Sequence, residues 1–167
     1  PTFGIGSTYE EILKKNPEQR IVGQELNPII YNFALVYLYC LDASNAEIFQ
    51  GDSLSDPLFL NQKFDRVVSN APFGLRASHR TWEILQNDFH HRFRYGLPPK
   101  TSLDWAFIMN GLEGLEDDGK AIFAVSNSAL FMGNQVTKIR ENFLAADLIE
   151  AVIALPAGVF APHTQIP

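Results

Sequence analysis

Apolar residues in this chain gather into short β-rich runs that alternate with stretches of helical spacing. Residues 20–26 make one such run and carry Glu25 near its end. Asn27 and Pro28 then predict a helix start, the asparagine as cap and the proline at the first helical position. Ile30, Phe33, Ala34, Tyr37, Leu38 and Leu41 follow at helical spacing, so the apolar stretch from Ile29 to Leu41 reads as a buried helix. Residues 47–52 and 64–70 predict two further strands, and a polar, aromatic-rich insertion spans 75–101. The pattern predicts an amphipathic helix over 102–115, with Asp104 in its first turn and Asp117, Asp118 and Gly119 ending it. A buried strand over 120–126, a helix over 134–146 and a last strand over 148–155 complete the series. Strands alternating with helices imply an α/β fold with a mostly parallel, doubly wound sheet.

A chain of 167 residues is enough for one domain with one core. Its first residues lie inside a glycine-rich turn of the kind that follows a strand. That strand is expected before Pro1, and the domain is expected to be partial at both ends. No apolar run is long enough for a bilayer, and no signal peptide is expected from the opening residues. The single cysteine, Cys40, excludes an internal disulfide, suits a reducing cytoplasm and is expected to fill a small core position.

The net charge of −6 argues against gripping nucleic acid by bulk electrostatics. Residues 76–100 differ from the rest. Arg76, Arg80, Arg92, Arg94 and Lys100 stand there against only Glu83 and Asp88, with His79, His90 and His91 among them. A local basic surface on an acidic chain predicts that a partner supplies much of any DNA grip, although a solvated connection has the same composition. His79, His90, His91 and His163 lack metal-ligand spacing, so no metal is expected.

Candidate chemistry begins at Phe3-Gly4-Ile5-Gly6, a turn opening toward the helical stretch 9–15. Glycines there let a ligand approach the backbone and leave amide donors at a helix start. The dinucleotide fingerprint wants another glycine three residues on; Tyr9 stands there, which disfavours NAD. Glu25 lies at a spacing where acids accept hydrogen bonds from ribose hydroxyls, and Asp52 closes the next predicted strand. Three elements thus point at one crevice and favour a nucleoside-containing cofactor.

The strand over 64–70 runs into Ser69-Asn70-Ala71-Pro72-Phe73-Gly74. This resembles the [DNS]-P-P-[FYW] motif of amino-group methyltransferases. An adenine amine is a poor nucleophile because its lone pair is delocalised into the ring. Acceptors at the Asn70 side chain and the Ala71 carbonyl would draw its hydrogens and aim the lone pair. Pro72 fixes the chain direction, and Phe73 offers a stacking face for an extruded base. Alanine at 71 replaces the family's usual proline; the carbonyl survives and rigidity is lost, so a slower enzyme is expected rather than a dead one.

Further segments stand in order: 23–28 (GQELNP), 92–96 (RFRYG), 98–100 (PPK), 104–107 (DWAF), 138–140 (KIR) and 151–160 (AVIALPAGVF). Together they resemble the modification subunit of type I restriction–modification systems, across essentially the whole chain. The resemblance implies a Rossmann-like methyltransferase fold with S-adenosylmethionine as donor and DNA adenine N6 as acceptor. It also implies a specificity subunit and a restriction subunit as partners. Phe3, Gly4 and Gly6 match the methionine-binding turn, Glu25 the ribose acid, Leu26 the residue against the cofactor adenine, and Asp52 the acid near its amine. Asn70, Ala71, Pro72 and Phe73 match the catalytic loop, with Asn70 also facing the cofactor. An upstream helical domain, a first strand and the last strands belong to the family pattern outside this chain. Two other readings fit the motif: methylation of a protein glutamine or an RNA base, or a non-catalytic scaffold subunit. Trp82 and Trp105 read as core or interface residues. Tyr95 is the extra aromatic for DNA contact.

Overall fold

The periodicities resolve, in a computed structural model describing residues 1–156 and 158–160, into ten elements. They are α1 (Ser7–Lys15), β1 (Ile21–Glu25), α2 (Pro28–Cys40), β2 (Ala46–Gln50), β3 (Phe64–Asn70), α3 (His79–Gln86), α4 (Asp104–Glu113), β4 (Leu115–Ala124), α5 (Ser128–Phe131) and α6 (Gln135–Ala145). Ala157 and residues 161–167, His163 among them, lie outside the described residues. The chain forms two compact units. One comprises Pro1–Asn70 and Asn110–Ile122; the other comprises Ala71–Met109 and the chain from Phe123 onward.

In the first unit, β1 and β2 pair in parallel from Ile21↔Ala46 to Glu25↔Gln50, with α2 as the crossover. Asn27 caps α2 as its sequence demands, its side chain accepting from the Ile29 and Ile30 amides. Phe3, Leu13, Ile21, Ala34, Leu38 and Ile48 form the core, with Tyr9 and Tyr31 against it. β3 pairs with β4 in a second two-stranded sheet. Between the two ladders runs the opening segment of the chain. The Phe3 amide donates to the Gln24 carbonyl of β1 (3.0 Å), while Thr2 Oγ1 meets Ser69 Oγ of β3 (2.8 Å).

The second unit holds α3, the first part of α4 (to Met109), α5 and α6, with Leu85, Leu103, Trp105, Phe107, Ala129, Val136, Ile139 and Phe143 buried. Val136, Ile139 and Phe143 recur at three and four residues, which puts them on one face of α6. Trp105 packs edge-on against Phe143 (4.8 Å between centroids), and its indole N–H donates to the Ala129 carbonyl (3.0 Å). The core role expected of Trp105 is the one observed; Trp82 is half-buried on α3.

Several expectations are corrected. α2 buries only Ala34 and Leu38, leaving Ile29, Phe33, Val36 and Tyr39 exposed. Cys40 is exposed rather than a core residue. Two positions after Leu38 it is turned by about 200° from the buried stripe, so its helix phase overrides its apolar character. The insertion contains the helix α3, capped by Ser78, whose hydroxyl accepts from the Thr81 amide (3.0 Å). The helix expected from 102 starts at Asp104, because Leu103 still donates its amide to the Leu75 carbonyl (2.8 Å). Asp117, Asp118 and Gly119 lie within β4 rather than ahead of it. Gly119 is short of space: a Cβ there would sit 2.8 Å from the Leu115 side chain and 3.0 Å from the Glu116 carbonyl. Residues 148–155 form no strand, and among the described residues no neighbour pairs with them. An unpaired ladder edge has no partner for its amides and carbonyls, and the apolar pattern alone supplies none.

Candidate active site

The glycine turn, Glu25 and Asp52 all belong to the first unit and lie at the carboxyl ends of β1 and β2. Gly4 takes φ +63°, a conformation that side chains disfavour, and a Cβ built on it meets nothing within 4 Å among the described residues. Its amide donates to Glu25 Oε2 (2.9 Å), while Glu25 Oε1 accepts from the Asn27 amide (2.8 Å). One carboxylate therefore holds both the turn and the start of α2. Gly6 takes φ +92° at the start of α1, with the Phe3 ring 3.0 Å from where its Cβ would stand. Phe3 is buried, and Leu26 is 60% exposed at the end of β1. Asp52 closes the loop after β2, accepting from the Leu54 amide (3.0 Å) and the Ser55 hydroxyl (2.7 Å).

Three further residues shape this half without standing among its sequence candidates. Gly23 lies flat beneath Phe3: a Cβ there would stand 2.1 Å from the ring. Buried Gln24 donates to the Asp56 carbonyl (2.9 Å) and accepts from the Leu58 amide (3.4 Å), fixing the loop that carries Asp52. Tyr9 fills the position where the dinucleotide fingerprint needs glycine. Its ring stacks on Phe3 (4.7 Å, 9° between planes), and its hydroxyl donates to the Val68 carbonyl (3.1 Å). Burial pushes that hydroxyl's pKa up to about 12. Gln-then-Glu at a strand end is the available signal for Gln24; Gly23 gives none until Phe3 is placed over it.

Asn70 is the last residue of β3 and is exposed. Among the described residues, no hydrogen bond engages its side chain. The boundary between the two units falls directly after it. Ala71 is buried and Pro72 exposed. Phe73 is half-buried and meets the ring of Phe160 edge-on (5.1 Å, 71°). In the sequence, Phe160 is only the end of an ordered segment. After Phe73 the chain turns at Gly74 (φ +59°) and is tied down: Gly74 N donates to Asp104 Oδ1 (3.4 Å), Leu103 N to Leu75 O and Ala77 N to Lys100 O (2.9 Å).

The basic insertion separates into a buried and an exposed set. Arg92 is buried and bound to Asp88, Nη2 to Oδ1 at 2.7 Å, and the Arg92 amide donates to Asp88 Oδ2 (2.6 Å). Arg76, Arg80, Arg94 and Lys100 are exposed, with Glu83 the exposed acid among them. The positive excess thus sits wholly on the surface. Tyr95 is half-buried, edge-on to Phe143 (4.9 Å), and its carbonyl accepts from Asn142. Among the described residues no three His, Cys, Asp or Glu side chains gather to hold a metal ion, and no helix is long and apolar enough to cross a membrane.

The family model for N-6 DNA Methylase matches residues 5–167. The type I restriction enzyme MjaVIII methylase subunit of Methanocaldococcus jannaschii is 32% identical over 96% of this chain and 30% of its own length. The HindI methylase subunit of Haemophilus influenzae is 29% identical over 88% of this chain and 32% of its own. The chain therefore spans about a third or less of these curated relatives. Among solved structures, the type I restriction–modification methyltransferase subunit from Streptococcus thermophilus superposes with a TM-score of 0.86. It is 30% identical, and the match covers 99% of this chain and 36% of that one. A modification subunit of a putative type I restriction enzyme from Vibrio vulnificus shares the fold, with a TM-score of 0.73 at 22% identity over 99% of this chain and 37% of its own. The mixed α/β, Rossmann-like methyltransferase fold expected from the sequence is the fold observed.

Proposed function

Because the chain belongs to the N-6 DNA Methylase family, we propose that the protein transfers a methyl group from S-adenosylmethionine to the exocyclic amine of adenine in DNA. It does so as the modification subunit of a type I restriction–modification assembly, with a specificity subunit that reads the sequence and a restriction subunit as partners. The observation that carries this reading is Asn70: an exposed amide, uncommitted among the described residues, at the carboxyl end of a strand. Buried polar groups are ordinarily satisfied, and an exposed amide held at a fixed strand end is available to a ligand.

The first unit has groups suited to the donor. The open space over Gly4 admits a ligand close to the backbone, Glu25 presents a carboxylate for ribose hydroxyls, and exposed Leu26 offers an apolar surface for a base. Asp52 stands two residues beyond Gln50, the register partner of Glu25, and fits the role of acceptor for an adenine amine. S-adenosylmethionine supplies an electrophilic methyl on a sulfonium sulfur.

The chain's own contribution is positional and electrostatic. The Asn70 side-chain oxygen and the Ala71 carbonyl accept the two amine hydrogens, which localises the nitrogen lone pair. Phe73 presents an aromatic face for the base, its ring set by Phe160. The exposed cations Arg76, Arg80, Arg94 and Lys100 suit contact with phosphates. Asn70→Ala and Phe73→Ala in the full-length assembly are expected to reduce methylation of DNA by about 1,000-fold or more, the scale set by losing a preorganised acceptor. Tritium transfer to DNA from a host lacking the system measures this, with calorimetry expected to show cofactor binding changed little. Wild-type methylation by both variants, or labelling of protein in place of DNA, would sink the proposal.

A further inference from the structure

Asp104 lies in the first turn of α4 and is only 1% exposed. Its Oδ2 accepts from the hydroxyls of Ser102 (2.8 Å), Ser126 (2.7 Å) and Ser128 (3.2 Å), and its Oδ1 accepts from the Gly74 amide (3.4 Å). A buried carboxylate is costly unless its oxygens are occupied, and four donors from three chain segments occupy these. One donor is the residue directly after Phe73. We propose that Asp104 is a positioning residue for the catalytic loop, holding Gly74, and through it Phe73, at the place where the acceptor base is received. This rests on the function proposed for residues 70–73.

The surroundings suit an anchor rather than a bystander. Gly74 stands in a left-handed conformation, and among the described residues nothing lies within 4 Å of where a Cβ would be. What holds it is hydrogen bonding: the bond to Asp104 first, then Leu103 N to Leu75 O and Ala77 N to Lys100 O, which pair the chain leaving the loop with the chain entering α4. The 3.4 Å bond is the longest of the set. A contact that shortens when the base arrives would be stronger with substrate bound than without, which is where binding acts on rate. Ser126 and Ser128 follow β4 and stand within hydrogen-bonding distance of each other as well as of Asp104. The segment after β4 is therefore tied to the loop after β3 through this one carboxylate. An apolar residue at 104 would fill the volume and take the shared acceptor from Gly74 N and from the hydroxyls of Ser102, Ser126 and Ser128, of which the last two could still bond each other.

The test uses the full-length protein in its assembly, with Asp104→Ala, Asp104→Asn and Ser126→Ala. Single-turnover methylation of unmodified genomic DNA gives the rate, and calorimetry gives the S-adenosylmethionine affinity. Asp104→Ala is expected to slow transfer by about 100-fold, the scale of a loop misplaced by roughly 1 Å, with cofactor affinity within about threefold of wild type. Asp104→Asn is expected to recover to within about tenfold. Its oxygen can still accept from Gly74, and its amide can donate to hydroxyls that rotate to accept. Transfer by Asp104→Ala within about threefold of wild type overturns the proposal. So does a joint collapse of rate and cofactor affinity in the alanine and asparagine variants alike, the signature of a merely structural residue. If Asp104→Ala does not fold, Ser126→Ala decides. A slower transfer at unchanged melting midpoint supports the anchor, and a lowered midpoint with unchanged rate overturns it. Asn70→Ala assayed in parallel separates the two levels. If it methylates normally, the proposed function fails; if it is inactive while Asp104→Ala is normal, only the anchor fails.

Discussion

The glycine-turn end of the first unit and the loop at residues 70–74 are built in opposite ways. At the turn, the candidate ligand-binding groups are already at work inside the protein: Glu25 holds Gly4 and Asn27, and Asp52 closes its own loop. At the loop, Asn70 is left uncommitted among the described residues, and the restraint falls on the residues that follow it: Phe160 meets Phe73, Asp104 holds Gly74 and Leu103 pairs with Leu75. Under the proposed function, the difference follows from what each would have to do. A cofactor surface gains from being fixed before its ligand arrives, because ordering it later costs affinity. A group that would accept hydrogen bonds from a reacting amine needs a free lone pair in a fixed place, so its support has to come from other residues.

The strongest way to break this contrast is at the floor of the turn. Gly23→Ala puts a methyl where the ring of Phe3 stands, 2.1 Å from its nearest atom. Displacing that ring should cost about 3 kcal/mol, the upper range for overpacking. Chemical denaturation should show it together with loss of cofactor binding; an unchanged midpoint would mean the turn is softer than it looks.

A smaller effect is expected in alkali. The Tyr9 pKa is raised to about 12 by burial, above the ordinary 10.0. Between those values the unfolded chain has released a proton that the folded chain retains, so stability falls as pH rises from about 10 toward 12 and is fully present below 10. The slope should reach a few kcal/mol over that window. Tyr9→Phe should flatten it in melting curves taken from about pH 9 to 11. A slope that survives in the variant would assign the alkaline loss to another group.

The smallest effect sharpens the other side. Ala71→Gly keeps the carbonyl and adds backbone freedom, worth about 0.5–1 kcal/mol. It should slow methylation about two- to fivefold, since about 1.4 kcal/mol is tenfold in rate. Cofactor affinity should not move. A loss as deep as that of Asn70→Ala would mean that residue 71 contributes more than its carbonyl.

Much of the first unit is legible in the amino-acid sequence alone. Asn27-Pro28 announces α2, residues 64–70 form the strand that their β-rich run predicts, and Tyr9 in the fingerprint position is the ring that fills it. These features are local: a cap, a short apolar run, a side chain too large for its place. The helix inside the insertion is hidden because its polar composition outweighs the spacing of Trp82 and Leu85. Cys40 and the outer face of α2 are misplaced by the pattern because apolar composition does not say how much of a helix another element will cover.

The sequence by itself determined the order of elements from α1 to β3, the glycine turn, the acids at two strand ends and the Asn-x-Pro-Phe loop, since each depends on neighbours a few residues away. Only the tertiary structure decided that Phe160 would meet Phe73, that Gly23 must be bare beneath Phe3, and that Asp104 would gather three serines and Gly74. Those contacts join residues far apart in the chain. Their partners are set by how packing closes around a buried ring or a buried charge, and no local pattern carries that information.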